Sequence, residues 1–332
     1  MPHRGVIVGL GNIARQSHLP ALLDDPTGSR RFDVVGTVDA RPGTESLAGI
    51  PHFGSLEAAL AAVGPDFVDI CTPTASHLSL CRQALAAGCH VLCEKPVALT
   101  GDDIQELADL ARGQRRVLMA CHQYRFNPAW RGLRSWLDQG LIGRWHLAEF
   151  QVYRLAADGG ATGTDQPWRG QRTHSGGGIL LDHGTHLIYQ LLDVAGPPRA
   201  IQSWSGNLRH RNYDVEDTAH LLLDFGDRLG TMFLTWAADR RDTRIRFFGE
   251  DGSIEWTGGL LTRRGRHGEE AIDYSAELDK RNYFRWFAQL FGQFGDAIEQ
   301  GAIEPGLADI AQVTRVLETA YAAHDAACRI TV

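Results

Sequence analysis

A chain of 332 residues, 43% hydrophobic and carrying a formal net charge of −7, is long enough for a well-buried core divided between two domains. The acidic balance argues against a nucleic-acid partner held by a basic surface, and no apolar run approaches the roughly eighteen residues of a membrane span. MPHRGVIVGLGN lacks a signal-peptide layout, and Cys71, Cys81, Cys89, Cys93, Cys121 and Cys328 form neither a CxxC pair nor a metal-finger spacing, so the expectation is a cytoplasmic protein with reduced, mostly buried thiols, off the membrane.

GVIVGL (5–10) reads as a first strand, followed by a helical pattern to Asp24. GLGNIA (9–14) fits G-x-G-x-x-A directly after that strand. Gly9 permits the tight turn, Gly11 lets a pyrophosphate approach the backbone, and Ala14 lets the helix pack close on the sheet. The next strand, FDVVGTVD (32–39), ends on Asp39, an acid suited to the ribose hydroxyls of adenosine and repulsive to a 2′-phosphate. Arg41, two residues on, partly offsets that repulsion. The expected cofactor is NAD, with NADP left open by Arg41.

FVDICTP (67–73), HVLCEKP (90–96) and VLMACHQY (117–124) add strands, with helical patterns near 55–63, 75–88 and 101–113. Strands that are apolar throughout and separated by helices predict a doubly wound parallel sheet, with ligands beyond the carboxyl ends of its strands. Lys95 falls at such an end. It is one of two lysines, with Lys280, in a chain whose other cations are arginines. An amine can release its proton when its surroundings lower its pKa, and guanidinium effectively cannot. Lys95 is therefore expected to give a hydrogen bond or proton to a substrate oxygen beside the nicotinamide, and Pro96 allows a cis bond after it.

Beyond about residue 125 the pattern changes. WHLAEFQVYRL, TAHLLLDFG, RLGTMFLTWA and TRIRFFGE, with turns such as FGDR and GEDG, predict an antiparallel or mixed sheet, and the Arg-rich stretch at 263–270 reads as a solvated loop. Helices are expected near 178–193, 283–299 and 307–327. The expected division is a doubly wound, dinucleotide-binding domain at 1–124 and a second, sheet-containing domain at 125–332. The Gly-, Thr- and Asp-rich segment 156–178 reads as a loop closing over the site. In SGGGILLDHGTHLIYQLLD (175–193), Asp182 and His186 are four apart and share a helix face, as a substrate anchor and a general base would. Capping of the helix and metal binding are the competing readings; no third ligand is evident, and no metal is expected. His183 points elsewhere and reads as structural.

With GLGNIA, TPTASH (72–77), AGCHVLCEKP (87–96), YRFNPAW (124–130), Trp168-Arg169, GGGILLDHGTH (176–186) and EDTAHLLLDFG (216–226) in this order, the chain resembles the Gfo/Idh/MocA oxidoreductase family, which includes inositol and glucose–fructose oxidoreductases. The resemblance implies a Rossmann domain and then an α/β domain whose large open sheet often builds homodimers or homotetramers. It implies NAD(P)-dependent hydride transfer at a CH–OH carbon of a sugar, cyclitol or related polyhydroxy compound. Lys95, Asp182 and His186 match the family's catalytic positions. Gly9, Gly11, Asn12, Ile13, Asp39, Thr72, Pro73, His77 and Glu94 match its cofactor-contacting segments, and Gln123 stands where Asn often faces the nicotinamide. Trp168 and Arg169 match a pair near cofactor and substrate. Arg41 and Lys95 complete the expected cofactor set, while Lys95, Tyr153, Arg169, Asp182, His186 and Tyr189 form the expected substrate set. Tyr189 is a departure, replacing an acid that frequently follows the catalytic His by three, so the substrates of known members do not transfer. An NAD-dependent glycosidase using transient oxidation and a non-enzymatic dinucleotide sensor of the same fold remain alternatives.

Overall fold

The computed structural model describes residues 1–23, 31–44, 47, 49–158, 167–266 and 268–325. Two compact units are present: Met1–Gln123 with Tyr283–Thr314 in the first, and the chain from Tyr124 to Asn282, with the end from Arg315, in the second.

The first unit alternates strands and helices: β1 (His3–Val8), α1 (Leu19–Leu23), β2 (Phe32–Val38), β3 (His52–Phe53), α2 (Leu56–Val63), β4 (Phe67–Ile70), α3 (His77–Ala86), β5 (His90–Cys93), α4 (Gly101–Gln114) and β6 (Leu118–Ala120). All pair parallel in the order β3-β2-β1-β4-β5-β6. This is the expected doubly wound sheet, and the cause is visible in its strands. Val6, Ile7, Val68, Ile70, Val91 and Leu92 have no exposed surface, because helices cover both faces. Ser55 and Thr100 cap α2 and α4 by accepting from Ala58 N and Asp103 N, both at 3.2 Å. The order of strands places the reversal beside β1, so the turns after β1, β4 and β5 share one edge.

The later helix of this unit, Phe284–Gln300, shows apolar residues at the helical spacing: Phe287, Leu290, Phe291 and Phe294 are buried. Phe294 stacks on Phe32 at 6.3 Å and meets the edge of Phe67 at 5.8 Å, while Phe287 lies 4.5 Å from the ring of His18. The structure thus differs from a simple 1–124 and 125–332 division. This aromatic face finds its partners on β2, β4 and the turn before α1, so 283–314 belongs with the first unit.

The second unit is built on eight strands. α5 (Pro128–Asp138), β7 (Trp145–Tyr153), α6 (Arg172–Ser175) and α7 (Thr185–Ala195) precede β8 (Ala200–Gly206), β9 (Thr218–Asp224), β10 (Leu229–Thr235), β11 (Asp242–Gly249), β12 (Gly252–Thr257), β13 (Leu260–Gly265) and β14 (Gly268–Asp273). The order is β14-β13-β12-β11-β7-β10-β9-β8, antiparallel except for the β7–β10 pair. Along β7 burial alternates, with Ala148, Phe150 and Val152 turned into the core beside Trp130 and Phe247. The reading of 263–270 as a loop is corrected. β13 and β14 are a hairpin in which Arg263 faces Glu270 and Arg264 faces Glu269, so the mixed charges are cross-strand pairs, one on each face of the ribbon. The 156–178 segment holds two short helical turns, Trp168–Gly170 and Arg172–Ser175; its expected closure over the site falls largely on 159–166, outside the described residues. Among the described residues, no helix is long and apolar enough to cross a membrane.

Replacing Phe294 with Ala should cost about 3–5 kcal/mol in chemical denaturation, the scale for emptying a buried aromatic site. A loss within experimental error would show that the aromatic face of Phe284–Gln300 does not hold the first unit together.

Candidate active site

In the first unit the glycine-rich turn follows β1. Gly9 has φ +93°, and a Cβ there would meet the Thr72 methyl at 2.8 Å and the Cys71 backbone at 2.9 Å, so only glycine fits. Around Gly11 an added Cβ would meet nothing within 4 Å, which leaves its backbone open to a ligand. The chain then enters a π-turn, Ala14–His18, after Asn12 and Ile13. Asp39, at the end of β2, is 7% exposed. Its Oδ2 accepts Leu10 N–H at 2.9 Å, tying the acid to the glycine-rich turn. Arg41 grips both oxygens, Nε to Oδ1 at 2.9 Å and Nη2 to Oδ2 at 2.7 Å. Burial works to raise the pKa of Asp39, but the bonds from Arg41 and Leu10 outweigh it and hold the carboxyl well below its ordinary value. Arg41 is thus a full partner of Asp39, more than the partial offset expected of it.

Thr72 and Pro73 follow β4, and the buried ring of His77 reaches the Thr72 and Pro96 carbonyls at 2.8 and 2.7 Å. His77 therefore lies between the two loops; burial lowers its pKa, and the neutral ring donates its one N–H to one of these carbonyls. Lys95 is half-buried after β5, and its peptide bond to Pro96 is cis. Glu94 turns inward: its Oε1 lies 3.1 Å from His18 Nε2, and its Oε2 accepts Lys95 N–H at 3.2 Å. Gln123, just after β6, is buried, and its Oε1 has no hydrogen-bond partner. That orphaned acceptor and the open backbone at Gly11 suit the carboxamide and pyrophosphate of a nicotinamide dinucleotide.

One group in this unit escaped the sequence reading. His18 has no exposed surface, and its Nδ1 lies 2.8 Å from Asp69 Oδ2 while its Nε2 faces Glu94. Burial works to lower the pKa of His18, yet Asp69 reverses the effect and the value ends well above the ordinary one. Burial would raise that of Glu94, but His18 brings it below the ordinary value. His18, Asp69 and Cys121 place ligand atoms within 4.8 Å of one another. Both imidazole nitrogens are already paired and burial pushes the Cys121 thiol well up, so the chemistry is that of a buried ion network rather than a metal site. The sequence did carry a signal: Asp69 is a charged residue inside the apolar strand FVDI. The five described cysteines are free and buried; Cys328 lies outside the described residues.

In the second unit, GGGILLDHGTH winds into a π-turn, Leu180–Gly184, and then α7. A Cβ on Gly178 would collide with the Glu216 carbonyl, so the glycine run admits a crossing backbone. Glu216, its pKa raised by burial, accepts Leu180 N–H at 3.2 Å and the Tyr321 hydroxyl at 2.8 Å, pinning the start of the turn. Asp182 lies on the π-turn, where Oδ1 is 3.3 Å from Arg169 Nε and Oδ2 is 3.2 Å from His183 Nδ1. His183 thus joins the acid rather than facing elsewhere. The Arg169 guanidinium stacks 4.4 Å over the Trp168 ring. His186, buried at the start of α7, places Nδ1 2.8 Å from the Tyr189 hydroxyl, and its ring lies 4.3 Å from that of Tyr124.

Two expected substrate residues are relocated. Tyr189 has no exposed surface, so in this structure it meets His186 instead of lining an open pocket. Tyr153 lies 5.9 Å from Phe233, on the sheet face opposite the one where Gly184 packs near Leu234. Strand alternation puts it on the far side from Asp182 and His186.

A parallel sheet whose strand-end turns leave a glycine backbone and a buried amide acceptor open defines a dinucleotide-binding oxidoreductase domain, and the mixed sheet after it narrows the class further. Residues 3–122 match the model of an oxidoreductase family with an NAD-binding Rossmann fold, and residues 130–255 match the GFO/IDH/MocA C-terminal domain. The chain belongs to the Gfo/Idh/MocA oxidoreductase family. An uncharacterized oxidoreductase of Bacillus subtilis is 27% identical over 281 residues, 77% of this chain and 70% of that protein. The D-glucoside 3-dehydrogenase of Escherichia coli is 29% identical over 203 residues, 59% of this chain, and the match spans 55% of its own length. The crystal structure of an oxidoreductase from Agrobacterium radiobacter in complex with NAD+, L-tartaric acid and magnesium shares the fold, with a TM-score of 0.84 at 22% identity over 98% of this chain and 97% of that one.

Two outcomes test these geometries. His18→Ala should lose roughly 3–5 kcal/mol at neutral pH, because it strands two buried carboxylates. In the native protein the His18 contribution is complete below about pH 6.5 and is lost as pH rises through its raised pKa. That of Glu94 is present above about pH 4.3 and is lost as pH falls through its lowered one. Urea titrations across pH should show both losses in the wild type and a flatter alkaline side in the variant. For the cofactor, Asp39→Ala should shift the ratio of NAD(H) to NADP(H) catalytic efficiency toward NADP(H), and Arg41→Ala should shift it the other way. A wild type strongly preferring NADP(H) would mean that Arg41 overrides the acid.

Proposed function

We propose that the chain is an NAD-dependent dehydrogenase that moves a hydride between the nicotinamide and a carbinol carbon of a sugar, cyclitol or related polyhydroxy compound. The observation that carries this reading is the pairing of a strand-end lysine with a buried, unpartnered amide acceptor: Lys95 after β5 and Gln123 after β6. The likeness to a D-glucoside 3-dehydrogenase supports the substrate class.

Gly9 and Gly11 would bring their backbone to the pyrophosphate, Asp39 and Arg41 would meet the adenosine ribose, and Gln123 would accept from the carboxamide. NAD, when bound, supplies the hydride acceptor. Lys95 donates a hydrogen bond to the substrate oxygen and steadies the negative charge that develops there. His186 takes the hydroxyl proton, and Asp182, held by Arg169, fixes a neighbouring substrate hydroxyl. The same reading makes the protein cytoplasmic, with NADP as a weaker cofactor. It also makes it a homodimer or homotetramer through the uncovered face of the eight-stranded sheet, where Trp204, His220 and Phe233 line up across paired strands. Light scattering showing a monomer at working concentration would remove that last element.

A panel of sugars and cyclitols offered with NAD+ and NADP+, followed by nicotinamide absorbance, should yield reduced cofactor with at least one polyol. Release of free sugar from a glycoside without net reduced cofactor would instead identify a glycosidase, and silence with every polyol would favour a sensor. Lys95→Arg and Lys95→Met should each lose roughly two or more orders of magnitude in turnover, the scale of a lost proton-handling group. NADH binding, read by fluorescence quenching, should persist in both. Near-normal turnover of the Arg variant would show that charge alone matters at this position.

A further inference from the structure

Asp182 is engaged from two sides. Arg169 Nε lies 3.3 Å from one carboxyl oxygen, and His183 Nδ1 lies 3.2 Å from the other. Behind both stands Tyr213, a buried ring on the loop that precedes β9. We propose that Tyr213 is a positioning residue for Asp182, a wedge that sets where Arg169 and His183 lie and through them where the carboxylate meets a substrate hydroxyl. This rests on the reading of Asp182 as the substrate anchor.

One route from Tyr213 runs through the turn Trp168–Gly170. The tyrosine ring is packed so closely on Gly170 that a Cβ there would lie 2.8 Å from Tyr213 Cδ1. Asp214 grips the same stretch of backbone: its N–H donates to the Gly170 carbonyl at 3.2 Å, and its Oδ1 accepts Arg172 N–H at 2.6 Å. Arg169 is thus fixed by the residues after it. Its Nη1 also donates to the Asp158 carbonyl at 3.4 Å, and the Tyr213 hydroxyl accepts the N–H of the adjoining Ala157. Ring and hydroxyl therefore steady the two backbone segments on which the guanidinium leans. The other route runs through Trp236, which has no exposed surface. Its ring stands edge-on to Tyr213 at 6.1 Å and edge-on to His183 at 6.4 Å.

The wedge is itself anchored. The His210 ring stacks on Tyr213 at 4.8 Å, with 13° between the planes. Asp217, fully buried, accepts the successive N–H groups of Leu208, Arg209 and His210 at 2.9, 2.8 and 2.9 Å, which fixes the loop that carries the tyrosine. A rigid aromatic with two side-chain torsions can fill the space between Gly170 and Trp236 at one setting. A branched aliphatic side chain would leave one of those contacts empty, and the carboxylate ahead of them would lose its placement. Such placement matters because a misalignment of about 1 Å is enough to weaken a directed contact severely.

The test uses a polyol that proves active in the panel and compares Tyr213→Leu, Tyr213→Phe, Gly170→Ala, Asp182→Asn and the pair Tyr213→Leu with Asp182→Asn. Tyr213→Leu should raise KM for the polyol roughly tenfold, with kcat and the dissociation constant for NADH each within about threefold of the wild type. Tyr213→Phe keeps the ring and should recover most of that loss. Gly170→Ala presses on the same contact from the other side and should reproduce the rise in KM with the tyrosine intact, which keeps the test decisive should the Leu variant not fold. Asp182→Asn should raise KM at least as far, and adding Tyr213→Leu to it should raise KM less than about twofold more, because the leucine acts through a carboxylate already removed. Full multiplication of the two effects, or a wild-type KM in a folded Tyr213→Leu or Gly170→Ala, overturns the positioning role and leaves the anchor reading standing. An unchanged KM in Asp182→Asn removes the anchor reading itself, and silence of the wild type with every polyol removes the dehydrogenase reading and this proposal together.

Discussion

An imidazole shared by two buried carboxylates fixes the first unit. His18 stands between Asp69 on β4 and Glu94 just after β5, with the aromatic rings of Phe287 and Phe291 at its sides. None of the three groups could be buried charged without the others, because an ion removed from water costs several kcal/mol unless it is paired. Their mutual need locks the π-turn after the glycine-rich loop to two adjacent strand ends. Glu94 then passes the constraint on by receiving Lys95 N–H, and His77 lies between the carbonyls of Thr72 and Pro96. The position of the lysine is thus set by a network of buried side chains.

The second unit solves a comparable problem with backbone and neutral groups. The Glu216 carbonyl crosses so close to Gly178 that no side chain fits, and the same residue's carboxyl caps the start of the π-turn at Leu180. Asp182 and His186 are presented by that turn and by the first residues of α7, each with its own partners: Arg169 and His183 for the acid, Tyr189 and Tyr124 for the imidazole. A wider π-turn explains why two residues four apart take separate neighbours, since the equal spacing of an α-helix does not hold through it.

Much of this was legible in the sequence wherever the signal was local. Apolar strands followed by Gly9, Asp39 and Lys95 announce the parallel sheet and its ligand edge, because strand burial and turn chemistry are written within a few residues. What escaped was long-range or directional. His18 and Asp69 are 51 residues apart, and nothing in ARQSH says that its histidine meets an acid. The amphipathic pattern of Phe284–Gln300 shows that one face is buried but not which sheet receives it. The β13–β14 hairpin passed for a loop because its charges, paired across strands, look like solvated polarity when read along one. Tyr153 and Tyr189 were expected toward substrate, and only the strand's alternation and the direction of a hydroxyl show the one on the far face and the other against His186.

The central claim, direct hydride transfer from a carbinol carbon to the nicotinamide, is tested most plainly by following the hydrogen itself. An active polyol carrying deuterium on its carbon-bound positions would be turned over with NAD+ in ordinary water, and the reduced cofactor recovered for mass spectrometry. The account predicts that the deuterium appears in the NADH. Reduced cofactor without the label would mean that the hydrogen came from solvent, and would contradict it.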